Sequence, residues 1–236
     1  MSVLKTKPSF GRFVWTVLVT LYSLIFFQNL LQDTLGDIGL IQRVFSALFV
    51  MWFGIEYYFG SPFFQSGLIA HSAFWRGLFA SFVYPYIGYA GGDFIWWHLT
   101  QMPVPGFVSG VTGLIVFAIG TGIRLYTLLA AIRMLRSNPM GRDGSQQKET
   151  SVLCKRVVRL SPQQWCRHPR YLATLIQLVG IALVFRSWGG LVLVLAVGIP
   201  LVFLQARYED SVLRNLLGAD FEAYRKKVPF LLPRWR

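Results

Sequence analysis

An all-helical, polytopic integral membrane protein is the fold class this sequence predicts, and three observations predict it. Of the 236 residues, 54% are hydrophobic, 16% aromatic and only 14% charged, a balance too apolar for an ordinary soluble domain. Long apolar stretches recur between short polar connections, at lengths suited to helices crossing a hydrocarbon layer roughly 30 Å thick. Seventeen of the 23 basic residues lie from Arg133 onward, a skew that orients a membrane protein with its basic loops in the cytosol. The net charge of +13 would also suit nucleic acid. The basic residues, however, fall between apolar spans and make no face of a polar domain, so the lipid bilayer is the expected partner and nucleic acid is not.

The expected architecture is four full spans, a carboxy-terminal helical hairpin and an amphipathic tail. Residues 1–135 supply the transmembrane helices, and 136–236 supply a loop, the hairpin and the tail of the same membrane domain. Lys5, Lys7 and Arg12 precede a first span at 13–31, which no small-residue cleavage site follows. Asp33, Gly36 and Asp37 lead to a second span at 38–59, and Gly60-Ser61-Pro62 ends it. The third span is 74–90. Residues 91–106 carry no Lys or Arg, and Pro103 and Pro105 break regular helix there before a fourth span at 107–135. Gly110, Gly113, Gly120 and Gly122 in that span read as close-packing points. Four crossings return the chain to its starting face, so the basic loop 136–170 and the tail after Gln205 are expected on one side, the cytosolic one.

Residues 160–210 organise the rest. A polar cluster around Arg167-His168-Pro169 opens two apolar arms, 172–185 and 191–204, joined by Arg186-Ser187-Trp188-Gly189-Gly190, and a second polar cluster, 205–210, closes them. An arm of about 16 residues is about 24 Å long, so the chain goes most of the way through a bilayer and returns. His168 and Glu209, 41 residues apart, then share one membrane face. Beyond them Val212, Leu213, Leu216, Leu217, Phe221 and Tyr224 recur at helical spacing among charged residues, the pattern of an amphipathic tail. Glu209 and Asp210 read as the start of that tail helix.

The series Arg167-His168-Pro169-Arg170-Tyr171, a hairpin, Glu209-Asp210-x-x-Leu213, Leu217-Gly218, Phe221, Tyr224 and Val228-Pro229 through Pro233 resembles the carboxy-terminal half of the isoprenylcysteine carboxyl methyltransferases, with part of it shared by the phospholipid methyltransferases. It spans about residues 150–236. The resemblance implies methyl transfer from S-adenosyl-L-methionine to a lipophilic, isoprenylcysteine-like acceptor. The site would face the cytosol, from the bacterial inner membrane or the endoplasmic reticulum. It implies that His168, Pro169, Arg170 and Tyr171, with Arg167, form a cofactor wall, that Lys155, Arg156, Val157 and Val158 make a further cofactor contact, and that Glu209 binds the cofactor's polar end.

Two departures stand out. Where the family places Gly-x-Tyr, this chain has Ser161-Pro162-Gln163; Gln163 can hydrogen-bond but not stack, and Trp165 offers a ring instead. Where the prenylcysteine enzymes carry a substrate-contacting arginine, this chain has Gln205, with Arg207 two residues on. Arg207 and Glu209 are the candidate catalytic residues, and Gln205 and Arg207 the candidate substrate contacts. Arg124 and Glu56 lie within spans, where a charge costs on the order of 2.5 to 3.5 kcal/mol, so they face a substrate cavity, snorkel to the interface or pair with each other. Taken alone, His168 reads as an interfacial histidine and the acidic pair as a helix start. No side chain stands out as a general base. Cys154, Cys166 and His168 make no metal-ligand spacing, and no metal is expected. Methylation of a phospholipid amine or a small thiol, or a non-catalytic scaffold with a degenerate site, are the alternatives. Oligomeric state is left open.

Overall fold

The computed structural model describes residues 10–35, 39–59, 73–137, 155, 159 and 161–232. The protein is all-helical, and among the described residues there is no strand, only an isolated bridge between Gln101 and Ser187. Its helices are α1 (Phe10–Leu35), α2 (Leu40–Tyr58), α3 (Ala73–Gly92), α4 (Gly106–Ser137), α5 (Ser161–Trp165), α6 (Pro169–Val184), α7 (Trp188–Leu193), α8 (Ile199–Leu217) and α9 (Ala219–Lys227). Four stretches are long and apolar enough to cross a membrane: Phe13–Leu31, Leu40–Tyr58, Gly106–Met134 and Trp188–Leu217. Their outer faces carry side chains that water would not tolerate together. Trp15, Tyr22, Ile25 and Phe26 of α1 and Ile115 and Ile119 of α4 are all at least half exposed, as expected where acyl chains are the solvent.

The set of four differs from the expected one. The third expected span is present as α3, but it does not reach the apolarity of the others. The second hairpin arm replaces it, because α7, a π-helical turn at Val194–Gly198 and α8 run on as one continuous helix. Pro200 explains the wide turn: it has no N–H to return to the preceding turn and its ring crowds that turn, which the π geometry relieves. Thirty residues at 1.5 Å make this arm about 45 Å long, against about 24 Å for α6. The hairpin is therefore lopsided, and Glu209 and Asp210 stand in mid-helix instead of starting a new one. The tail breaks later, at Gly218, whose positive φ of 54° is costly for a residue with a Cβ. There α9 folds back and seats Phe221 against Leu213 and Leu217.

Close packing of α4 on α6 centres the core. A Cβ added at Gly113 would lie 2.4 Å from the Val184 nitrogen, and one at Gly180 2.6 Å from the Phe117 nitrogen. Only bare backbone lets these helices approach so closely. Gly122, by contrast, faces open space. Phe45, Trp52, Phe79, Tyr86, Phe117, Leu178 and Ile181 fill the surrounding core. At the far end of the hairpin, Asp93 is buried and fully engaged. It accepts from the Leu99 and Thr100 amides (2.7 and 3.1 Å) and the Thr100 hydroxyl (2.6 Å), closing the π-helical turn Asp93–Trp97 beneath the bend at Ser187. Although burial alone would raise its pKa, these donors hold the carboxyl below the usual value.

Candidate functional site

His168 is the residue before α6, and Pro169 occupies the first helical position, where its fixed φ and missing N–H cost nothing. This sets the imidazole at the mouth of the hairpin, with α8 beside it. Nδ1 lies 3.4 Å from Glu209 Oε2 and Nε2 lies 2.9 Å from Asp210 Oδ1, with His168 only 3% exposed. An imidazole with a carboxylate at each nitrogen is held as the doubly protonated cation. Burial opposes that charge, but Asp210 and Glu209 outweigh it and raise the His168 pKa above its ordinary value. Tyr171 and Phe230 pack their rings against it at 5.4 and 5.2 Å.

Arg167 completes the cluster. Its guanidinium pairs with Asp210 and lies 5.0 Å from the Phe230 ring centre, and its amide donates to the Pro229 carbonyl at 2.9 Å, strapping the tail to the hairpin mouth. The hairpin thus brings His168 and Glu209 to one end of the molecule, as expected. The two touch each other, however, instead of facing across a gap. Asp210, which the sequence marked only as part of an acidic helix start, is the closer partner of the imidazole.

The other predicted residues fall in several places. Arg170 turns inward from α6, its Nη2 3.3 Å from Glu56 Oε2. Glu56 in turn receives Arg124 Nε and Nη2 at 2.9 and 2.7 Å and Trp52 Nε1 at 3.3 Å, while Arg124 Nη1 donates to Thr174 Oγ1 at 2.5 Å. Glu56 and Arg124 are both fully buried. They are a mutual pair within the core, the pairing that was the expected alternative to a substrate cavity. Tyr171 is buried beside His168.

Trp165 stacks on Tyr126 of α4 (5.7 Å, 15°), so its ring faces that helix and not His168. Gln163 and Gln205 are buried at 4% and 3% exposure, each with a carbonyl oxygen that has no hydrogen-bond partner. Gln205 lies one turn before Glu209 on the same buried face of α8. Arg207 does not share it. Two residues along a helix is about 200° of rotation, so Arg207 is exposed on another face, its guanidinium 4.4 Å from the Phe203 ring centre. The expected catalytic pair Arg207 and Glu209 therefore diverges. Lys155 is exposed and reaches Asp220 at 2.7 Å. Arg156, Val157 and Val158 lie outside the described residues, as do Cys154 and His71. Cys166 is buried and burial pushes its thiol up to about 11, which removes it as a thiolate nucleophile.

Beyond Asp210 a cavity of about 490 Å³ opens between α8, α9 and the tail, lined by Arg167, Phe203, Arg207, Asp210, Ser211, Arg214, Arg225 and Phe230. Most of these residues were not singled out from the sequence. The signal was present in part, since Phe203, Arg207, Asp210, Ser211 and Arg214 recur at the spacing of a single helical face. Compared with protein-family models, curated proteins and solved structures, the chain matches none.

Proposed function

We propose that the protein transfers a methyl group from S-adenosyl-L-methionine to a lipophilic, isoprenylcysteine-like acceptor at the cytosolic surface of a membrane. The observation that carries this is the convergence of His168 with Glu209 and Asp210 at the mouth of the hairpin. That cluster joins the two halves of the motif series resembling the prenylcysteine methyltransferases.

Two of the buried polar atoms left without partners suit the cofactor. Its ammonium, ribose hydroxyls and adenine amine are donors, and the Gln163 and Gln205 carbonyl oxygens are buried acceptors without any. Glu209 would hold the ammonium, and the His168 imidazolium would offset the negative charge around it. Trp165 on Tyr126 offers an aromatic wall. When bound, the group supplies an electrophilic methyl on a sulfonium, so the protein has only to orient, exclude water and balance charge. His168, held on both nitrogens and packed between Tyr171 and Phe230, is a rigid orienting group and not a proton shuttle. The buried Arg124–Glu56–Arg170 cluster beneath it fixes the rotation of α6 against α2 and α4, and so the direction in which His168 points. The acceptor would arrive laterally from the bilayer, which the exposed apolar faces imply is the medium around the hairpin.

The test is calorimetric binding of S-adenosyl-L-methionine to the purified protein, followed by labelled-methyl transfer to farnesylcysteine, phosphatidylethanolamine and short thiols. Binding that weakens by about tenfold or more in both His168→Ala and Glu209→Ala is the expected result. No binding by a folded wild-type protein would overturn the proposal.

A further inference from the structure

Charge is unevenly distributed around the cavity beside Asp210. Four guanidiniums line it, those of Arg167, Arg207, Arg214 and Arg225, against a single lining carboxylate, Asp210. Arg167 is committed to Asp210. Arg214 and Arg225 share one further acid, Glu222, at 2.9 and 3.3 Å. Arg207 has no carboxylate within ion-pair distance among the described residues, and leans on Phe203 instead. Four cations against two acids leave a surplus of two positive charges around an open volume of about 490 Å³. A methyl donor that is itself positive at sulfur does not answer that surplus. An anion does.

We infer that this cavity is a phosphoryl-binding site, adjoining the His168–Glu209 cluster through Arg167 and Asp210, in which Arg207, Arg214 and Arg225 receive the anion. A carboxylate presents two oxygens in a plane and is satisfied by one guanidinium fork. Several guanidiniums arranged around a space suit the tetrahedral oxygens of a phosphoryl group. The walls add a second feature. Phe203 and Phe230 meet edge to face at 5.3 Å on one side of the cavity, and Phe203 and Leu204 are exposed where the apolar surface of α8 gives way to charge. Basic clusters at such a boundary draw anionic lipid headgroups. The same oxygens could come from a water-soluble phosphate, so the chemistry is common to two sources and experiment separates them.

The full-length protein in mixed micelles would be titrated with phosphatidate, with phosphatidylcholine as the zwitterionic reference, and separately with inorganic phosphate, no methyl donor being present. Binding would be read by calorimetry and by ³¹P line broadening. Arg207→Gln and Ser211→Glu are the test variants, since both side chains are exposed and neither holds the fold together. Arg133→Gln on the exposed end of α4 removes the same charge elsewhere. Wild-type protein should prefer phosphatidate over phosphatidylcholine by about tenfold, Arg207→Gln should lose most of that preference, Ser211→Glu should abolish it and Arg133→Gln should keep it. Competition by inorganic phosphate assigns the site to the phosphoryl group itself. Phosphatidate binding without such competition assigns it to a lipid, and phosphate binding alone to a soluble ligand. Equal affinity for the two lipids with no binding of phosphate, or an equal loss in Arg133→Gln, would reduce the cavity to diffuse surface charge and overturn the inference.

Discussion

Replacing Glu56 with Gln should destabilise the protein more than almost any other single isosteric change. The carboxylate takes two hydrogen bonds from Arg124 at 2.9 and 2.7 Å, one from Arg170 at 3.3 Å and one from Trp52 at 3.3 Å, with Glu56 and Arg124 fully buried. A neutral amide keeps the shape but leaves two guanidiniums facing each other in a medium that solvates neither. Breaking a buried pair by removing one partner costs about 3 to 5 kcal/mol, mostly the penalty of the uncompensated charge. For a chain of this size, where 1 kcal/mol shifts Tm by about 2 to 4 °C, that amounts to a fall on the order of 10 °C. The assay is thermal or denaturant unfolding of the purified protein in one detergent, with Glu222→Gln as the comparison. Glu222 also pairs with two arginines, Arg214 and Arg225, but in a partly exposed network where each pair is worth about 0 to 1 kcal/mol. Burial, and not the number of ion pairs, should set the cost. A Glu56→Gln shift no larger than that of Glu222→Gln would refute the reasoning.

Two further outcomes follow from the packing and charge of the same region. Because the folded pKa of His168 lies above its unfolded value near 6.5, its contribution to stability should be complete below about pH 6.5 and be lost as pH rises through the folded value; unfolding measured across pH should lose that slope in His168→Gln, and an unchanged slope would remove the assignment. Gly180→Ala places a Cβ 2.6 Å from the Phe117 nitrogen and should cost about 1 to 3 kcal/mol by forcing α4 and α6 apart, while Gly122→Ala, with nothing within 4 Å, should be neutral or stabilise α4 by up to about 1 kcal/mol. Comparable losses from both, in the same unfolding assay, would refute the assignment of Gly180 to the close approach of α4 and α6.

The class and the end-to-end plan of the molecule were legible because they rest on composition and on periodicity along the chain. Apolar runs of membrane length can be satisfied only as helices, since no backbone group can be left to hydrocarbon. Counting residues along two arms is enough to say that His168 and Glu209 return to one end. The glycines of α4 were readable as packing points for a similar reason, although Gly110, Gly113 and Gly120, and not Gly122, meet a neighbour. Length was less well read: nothing in the apolar pattern announced that α7, its π-helical turn and α8 would continue as a single helix past the second polar cluster.

What composition and pattern determined, then, was an all-helical membrane protein whose hairpin carries an imidazole and a distant acid to the same surface. Only the tertiary structure decided which partners meet there. It turned Arg207 away from Glu209, made Asp210 the closer neighbour of His168, paired Glu56 with Arg124 across 68 residues and set four arginines around a cavity. The physical reason is that a sequence specifies spacing along each helix axis, whereas contact depends on how each helix is rotated about that axis and how closely it approaches its neighbours. Both are settled by packing, here by bare glycine backbones on α4 and α6 and by buried charges that had no other place to be neutralised.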